Sequence, residues 1–249
     1  MIANWKMNFR LGEAESLSRS IEKGAEKIHR TTMVICPPAI FLEAVSRELH
    51  EVALGAQNFY PREAGNFTGE VSVTQVAEFG EYVIVGHSER RSHFHETDQF
   101  IQEKIDAALR HRLVPILCVG ENAHERKAGK TFQVLNAQLR NGLHKIHLLE
   151  GKHLIVAYEP VWAISGSAES HAATKKEIEK AVALIQEFLH SHFGVHVSQT
   201  QIIYGGSTTP ENCEEIFSVP GISGALVGGA SHEAPSFLSI AQTLSEKQR

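Results

Sequence analysis

The stretch Leu154-Ile155-Val156-Ala157-Tyr158-Glu159-Pro160 decides the architecture. Five apolar residues in succession, without polar alternation, suit a strand buried on both faces, and such strands belong to parallel sheets covered by helices. Glu159 ends the run. Pro160 has no N–H to extend a ladder and pushes the residue before it to extended backbone. A carboxylate placed there projects stiffly from a strand end among the apolar Val161, Trp162 and Ile164, which is how a general base has to be held.

Working outward, similar runs recur at roughly thirty-residue spacing: Met1 to Trp5, Thr32 to Cys36, Val52 to Gln57, Tyr82 to Val85, Val114 to Val119, Gln201 to Tyr204 and Gly224 to Val227. Helical periods lie between them, such as Leu17, Ile21 and Ile28, or Phe100, Ile101, Ile105 and Leu109. Strand alternating with helix implies parallel pairing, and eight such units in about 250 residues match a (β/α)8 barrel. The rival, an open doubly wound sheet, would favour a glycine fingerprint after the first strand, which this sequence lacks. With no linker or low-complexity tract, residues 1–249 are expected to form a single catalytic barrel domain.

The 249 residues carry a formal charge of −5 and no basic cluster, which argues against nucleic acid or an anionic membrane as partner. No stretch approaches the roughly 20 apolar residues of a membrane span, and the opening lacks a signal-peptide core. Three widely spaced cysteines, Cys36, Cys118 and Cys213, make neither a disulfide framework nor a zinc ribbon and fit a reducing, cytoplasmic setting.

In a barrel of this kind the active site forms at the C-terminal ends of the strands. Lys6 follows the first run, His87 the fourth and Glu159 the sixth, while Gly205-Gly206-Ser207 and Gly228-Gly229 follow the last two. Backbone without Cβ lets oxyanions approach closely, so the two glycine pairs suit a phosphate cradle. Moving a proton beside a carbonyl needs a base, a donor at the oxygen and a fixed positive charge, and Glu159, His87 and Lys6 supply them. Neither cofactor nor metal is required for that step. His93-Phe94-His95 lacks further ligands for a metal and is expected at the start of a helix. Most of the histidines, such as His29, His50 and His144, are expected on the surface. Glu89 could serve as a second acid, but the motif it shares with Arg90 and Arg91 is expected to build ion pairs beneath such a site, and Cys118 is expected to be packing.

Asn4-Trp5-Lys6-Met7-Asn8, Gly86 to Arg91, Ala157 to Ile164, Tyr204 to Ser207 and Leu226 to Ser231 together resemble the triose-phosphate isomerase family along essentially the whole chain. The resemblance implies a cofactor-free aldose–ketose isomerase of glycolysis and gluconeogenesis, interconverting dihydroxyacetone phosphate and glyceraldehyde 3-phosphate on a TIM barrel. It makes Glu159 the base, His87 the neutral electrophile and Lys6 the cation at the enediolate. Asn4 lines the pocket, and Ser165, Ser207, Gly228 and Gly229 hold the phosphate through backbone N–H groups. It also implies a homodimer formed through the loop Asn58 to Glu70. Where the family has Gly-Thr-Gly-Lys, this chain has Ser165-Gly166-Ser167-Ala168 and then Glu169, so its lid is altered. The chain starts three residues before Asn4, where the family carries several more, and Ala3 replaces a customary glycine; a short first strand or a start further upstream is expected. Two other readings stand beside the main one: a paralogue isomerising a four-carbon ketose phosphate such as erythrulose phosphate, and a non-catalytic sugar-phosphate-binding protein.

Overall fold

In the computed structural model, which describes residues 1–164 and 172–247, the eight runs become eight parallel strands. They are β1 Ile2–Asn4, β2 Val34–Cys36, β3 Ala53–Ala56, β4 Tyr82–Val85, β5 Val114–Val119, β6 Leu154–Tyr158, β7 Thr200–Tyr204 and β8 Ile222–Val227. Each pairs with its neighbour in sequence. β8 returns to β1 through Ile2↔Leu226 and Ala3↔Val227, which closes the barrel. β8 starts two residues before its apolar run: Ile222 pairs with Ile202, and an irregularity then shifts the register before Tyr204↔Ala225.

Alternate residues of each strand face opposite sides, and the packing separates accordingly. Ile2, Val34, Cys36, Ile84, Ile116, Cys118, Ile155, Ala157, Ile203 and Leu226 cluster with one another inside the barrel. Their neighbours, among them Ala3, Ile35, Val83, Leu117, Val156 and Ile202, join the helices outside. Continuous apolar runs are therefore what two buried faces require. The helix Lys175–Phe193 shows the complementary pattern, burying Ile178, Val182, Ile185 and Leu189 at helical spacing. Its start is fixed by Thr174 and Glu177 in a reciprocal capping box. The first helix, Leu11–Ala25, ends before Ile28, which closes a turn by donating its N–H to Ala25.

His93 falls at the end, not the start, of the short helix Ser88–His93, and His95 has φ of 55°. That helix is cut off by the turn leading into the next one, Asp98–Arg110, which Thr97 caps. No described helix is long and apolar enough to cross a membrane.

Ile116 is fully buried in the barrel interior, where neighbouring strands cannot collapse into a void. Replacing Ile116 by Ala is expected to lower stability by about 2–5 kcal/mol, read as a shift in the urea midpoint at unchanged slope. A change within error would mean that the interior is not packed as described.

Candidate functional site

The inward parity of the strands continues past their C-terminal ends. Ile2 leads to Asn4, Ile155 and Ala157 lead to Glu159, Ile203 leads to Gly205 and Leu226 leads to Gly228. Asn4, Lys6, His87, Glu159, Ser207, Gly228 and Gly229 accordingly line one pocket of about 180 Å³. Ser165 and the rest of the altered lid lie outside the described residues. A larger cavity, about 450 Å³, opens at the opposite end of the barrel around Met1, Thr31, Gln199 and Ser223. It holds no comparable set of acid, base and cation, so the smaller pocket is the candidate site.

Glu159 is 2% exposed. Its N–H is tied to the Val119 carbonyl at 2.8 Å, and glycines crowd its side chain and its backbone. A Cβ on Gly205 would sit 2.5 Å from the Glu159 Cγ, and one on Gly120 would sit 1.8 Å from its carbonyl oxygen. Oε2 accepts the Ser88 N–H at 3.3 Å. Oε1 has no hydrogen-bond partner and lies 3.3 Å from His87 Nε2.

His87 caps the helix Ser88–His93, and its Nδ1 accepts the Glu89 N–H at 3.3 Å. A ring nitrogen that accepts carries no proton, so the ring N–H belongs on Nε2, facing the pocket. Gly86, at φ of 70°, makes the turn out of β4 that presents this ring; a Cβ there would meet Ile101 at 2.9 Å.

Lys6 has φ of 52°, a left-handed conformation that costs an L-residue roughly 1–2 kcal/mol. Two contacts hold it. Its N–H donates to Asn4 Oδ1 at 3.1 Å, and its carbonyl accepts from Gln57 Nε2 at 2.9 Å. Lys6 Nζ donates to Glu89 Oε1 at 2.6 Å. Partial burial pushes the Glu89 carboxyl up, but the Lys6 hydrogen bond and the nearby His87 and His93 outweigh it and hold the group below its ordinary value. Glu89 thus pairs with the site's lysine itself. Its neighbours pair elsewhere: Arg90 with Glu96 and Arg91 with Asp98, both at 2.6 Å. Cys118 lies in the barrel interior, where burial and then Glu159 push its thiol far up, away from the thiolate a nucleophile needs.

On the far side, Ser231 returns its N–H and hydroxyl to the Gly228 carbonyl at 2.9 and 2.6 Å, shaping the turn after β8. Ser207 donates its N–H to the Ala163 carbonyl at 2.9 Å, so that group is engaged within the protein. Ile164 and Leu226 also line the pocket, as do Thr208 and His232, which were not singled out from the sequence. Nor was Glu121, which is buried and accepts from Trp162 Nε1 at 3.0 Å and from the Tyr158 hydroxyl. His232 directly follows the Leu226 to Ser231 motif, and that adjacency was the available signal. Glu121 gave none, because its partners come from another strand and turn.

Comparison with known proteins agrees with this geometry. The family model described as triosephosphate isomerase matches residues 1–244. A triosephosphate isomerase of Dehalococcoides mccartyi strain BAV1 is 44% identical over 95% of this chain and 92% of its own. One from Chloroflexus aurantiacus is 42% identical over 95% of both. The crystal structure of triosephosphate isomerase from Bartonella henselae superposes with a TM-score of 0.87 at 37% identity, covering 98% of this chain and 97% of that one. A match over nearly the full length, in sequence and in fold, establishes that the chain belongs to the triosephosphate isomerase family.

Proposed function

We propose that the chain interconverts dihydroxyacetone phosphate and glyceraldehyde 3-phosphate by shifting one proton between adjacent carbons. The observation that carries this reading is the buried Glu159 carboxylate, whose Oε1 has no hydrogen-bond partner and stands 3.3 Å from His87 Nε2. Glu159 removes a proton from the hydroxymethyl carbon, and the electron pair moves through the new C–C double bond onto the carbonyl oxygen. His87 Nε2–H supplies a hydrogen bond there, and Lys6 offsets the growing negative charge, most strongly where water is excluded. Two transfers complete the aldose: Glu159 returns its proton to the neighbouring carbon, and the hydroxyl proton of the first carbon passes to the former carbonyl oxygen with His87 Nε2 as the relay between the two oxygens. Asn4 supports the Lys6 backbone and lines the pocket, while the N–H groups of Gly228 and Gly229 face the phosphate. Ser207 joins them once its bond to Ala163 gives way. Ser165 is assigned the fourth of these contacts on family resemblance alone.

The proton shift calls for no cofactor or metal. The named relatives speak for the triose reaction, and the four-carbon phosphate and the non-catalytic reading have no observation in their favour. We place the protein in glycolysis and gluconeogenesis and in the cytoplasm, a setting that suits its three free, buried cysteines, and we read residues 1–249 as a single catalytic domain acting on a small sugar phosphate.

We further propose that it acts as a homodimer through the loop Asn58 to Glu70. Residues 62–70 are exposed, and the apolar Phe67 and Met7 are 41% and 95% exposed. Gln57 holds the Lys6 carbonyl at the point where this loop begins, so covering the loop with a second copy would also steady Lys6.

Glu159→Asp is expected to keep the fold and lose at least about a hundredfold in kcat, because it withdraws the base by about 1 Å; near-normal turnover would remove Glu159 from the role of base. Sedimentation at assay concentration is expected to give the dimer mass, and a fully active monomer would refute the dependence on a second copy.

A further inference from the structure

His232 stands apart from the surface histidines. It ends the turn Gly229–His232 that begins at the glycine pair after β8, and it lines the catalytic pocket together with Lys6, Gly228 and Gly229. Its ring meets Phe9 edge-on, with centroids 5.2 Å apart and planes at 83°. Phe9 meets Trp5 in the same manner at 5.3 Å and 73°. The His232 Nε2 is buried without a hydrogen-bond partner.

Trp5 and Phe9 bracket the Lys6 turn, in which Lys6 and Phe9 both have positive φ, 52° and 73°. Such a conformation persists only where its surroundings hold it. Asn4 and Gln57 hold the Lys6 backbone, and Asn8 Nδ2 donates to the Trp5 carbonyl at 2.7 Å. From the β8 side the hold comes from His232. Burial first, and then the Lys6 ammonium, lower the proton affinity of the ring. The ring therefore enters this packing as a neutral imidazole at neutral pH.

We propose that His232 is a positioning residue that couples the glycine turn after β8 to the Lys6 turn after β1, fixing the separation between the substrate's phosphate and its reacting oxygen. This rests on the isomerase reading above. It is tested on the full-length protein by measuring kcat and KM with triose phosphate, and the Kd of inorganic phosphate by calorimetry, for the parent, His232→Ala, Phe9→Ala and the double variant. His232→Ala is expected to raise KM and the phosphate Kd about two- to tenfold, the scale of one edge-to-face contact. His232→Phe, which restores the ring, should recover most of that loss. The double variant should be no worse than the worse single one, because both changes cut the same link. If His232→Ala does not fold, His232→Gln, which lacks the ring, takes its place in the comparison. Unchanged KM and Kd, or losses that multiply in the double variant, would overturn the coupling. A parent that binds phosphate but does not turn over triose phosphate would instead sink the isomerase reading and leave the phosphate arm of the test intact.

Discussion

The pairing of β8 with β1 is the constraint on which the rest of this molecule depends. Two short parallel contacts, Ile2 with Leu226 and Ala3 with Val227, join the ends of a chain of 249 residues and remove both open edges of the sheet. Without them Lys6 and Gly228 would belong to separate edge strands. With them, a Cβ on Gly228 would lie 3.6 Å from Lys6 Cε, so the cation and the phosphate-binding turn occupy one corner of one pocket. Closure also gives every strand an interior face, and it is this face that presents Asn4, Glu159, Gly205 and Gly228 at the same end.

Once closed, the barrel has to accommodate charge where it excludes water. Burying a carboxylate is costly unless its polar atoms find partners. Glu159 meets that cost only in part, through the Ser88 N–H on one oxygen, and leaves the other oxygen beside His87 without a hydrogen bond. Gly205 explains how the side chain fits, since a Cβ there would collide with the Glu159 Cγ, and Gly120 leaves room for the Glu159 backbone in the same way. The half-exposed pair of Lys6 with Glu89 solves a different problem. Solvent screens it, so it contributes little to stability, but it gives the ammonium a defined position at the pocket rim.

The turns show where local preference yields to the site. Lys6 and Phe9 take positive φ although neither is glycine, and side chains from other parts of the barrel keep them there: Gln57 after β3 and His232 after β8. Such strain is stable only because the closed barrel overdetermines it.

By itself the sequence determined the number, order and parallel sense of the strands, because runs such as Val114 to Val119 and Leu154 to Tyr158 are apolar at every position and have only one kind of sheet to occupy. It also marked Lys6, His87, Glu159 and the two glycine pairs, because each stands immediately after such a run. Only the tertiary structure decided which charges meet. Glu89 pairs with Lys6, eighty-three positions away, and not with the arginines beside it. His232 packs on Phe9 from the other end of the chain, and Glu121 receives Trp162. The physical reason is the same in each case: periodicity records the environment of one residue at a time, whereas hydrogen bonds and ring contacts depend on distances that exist only after β8 has closed against β1.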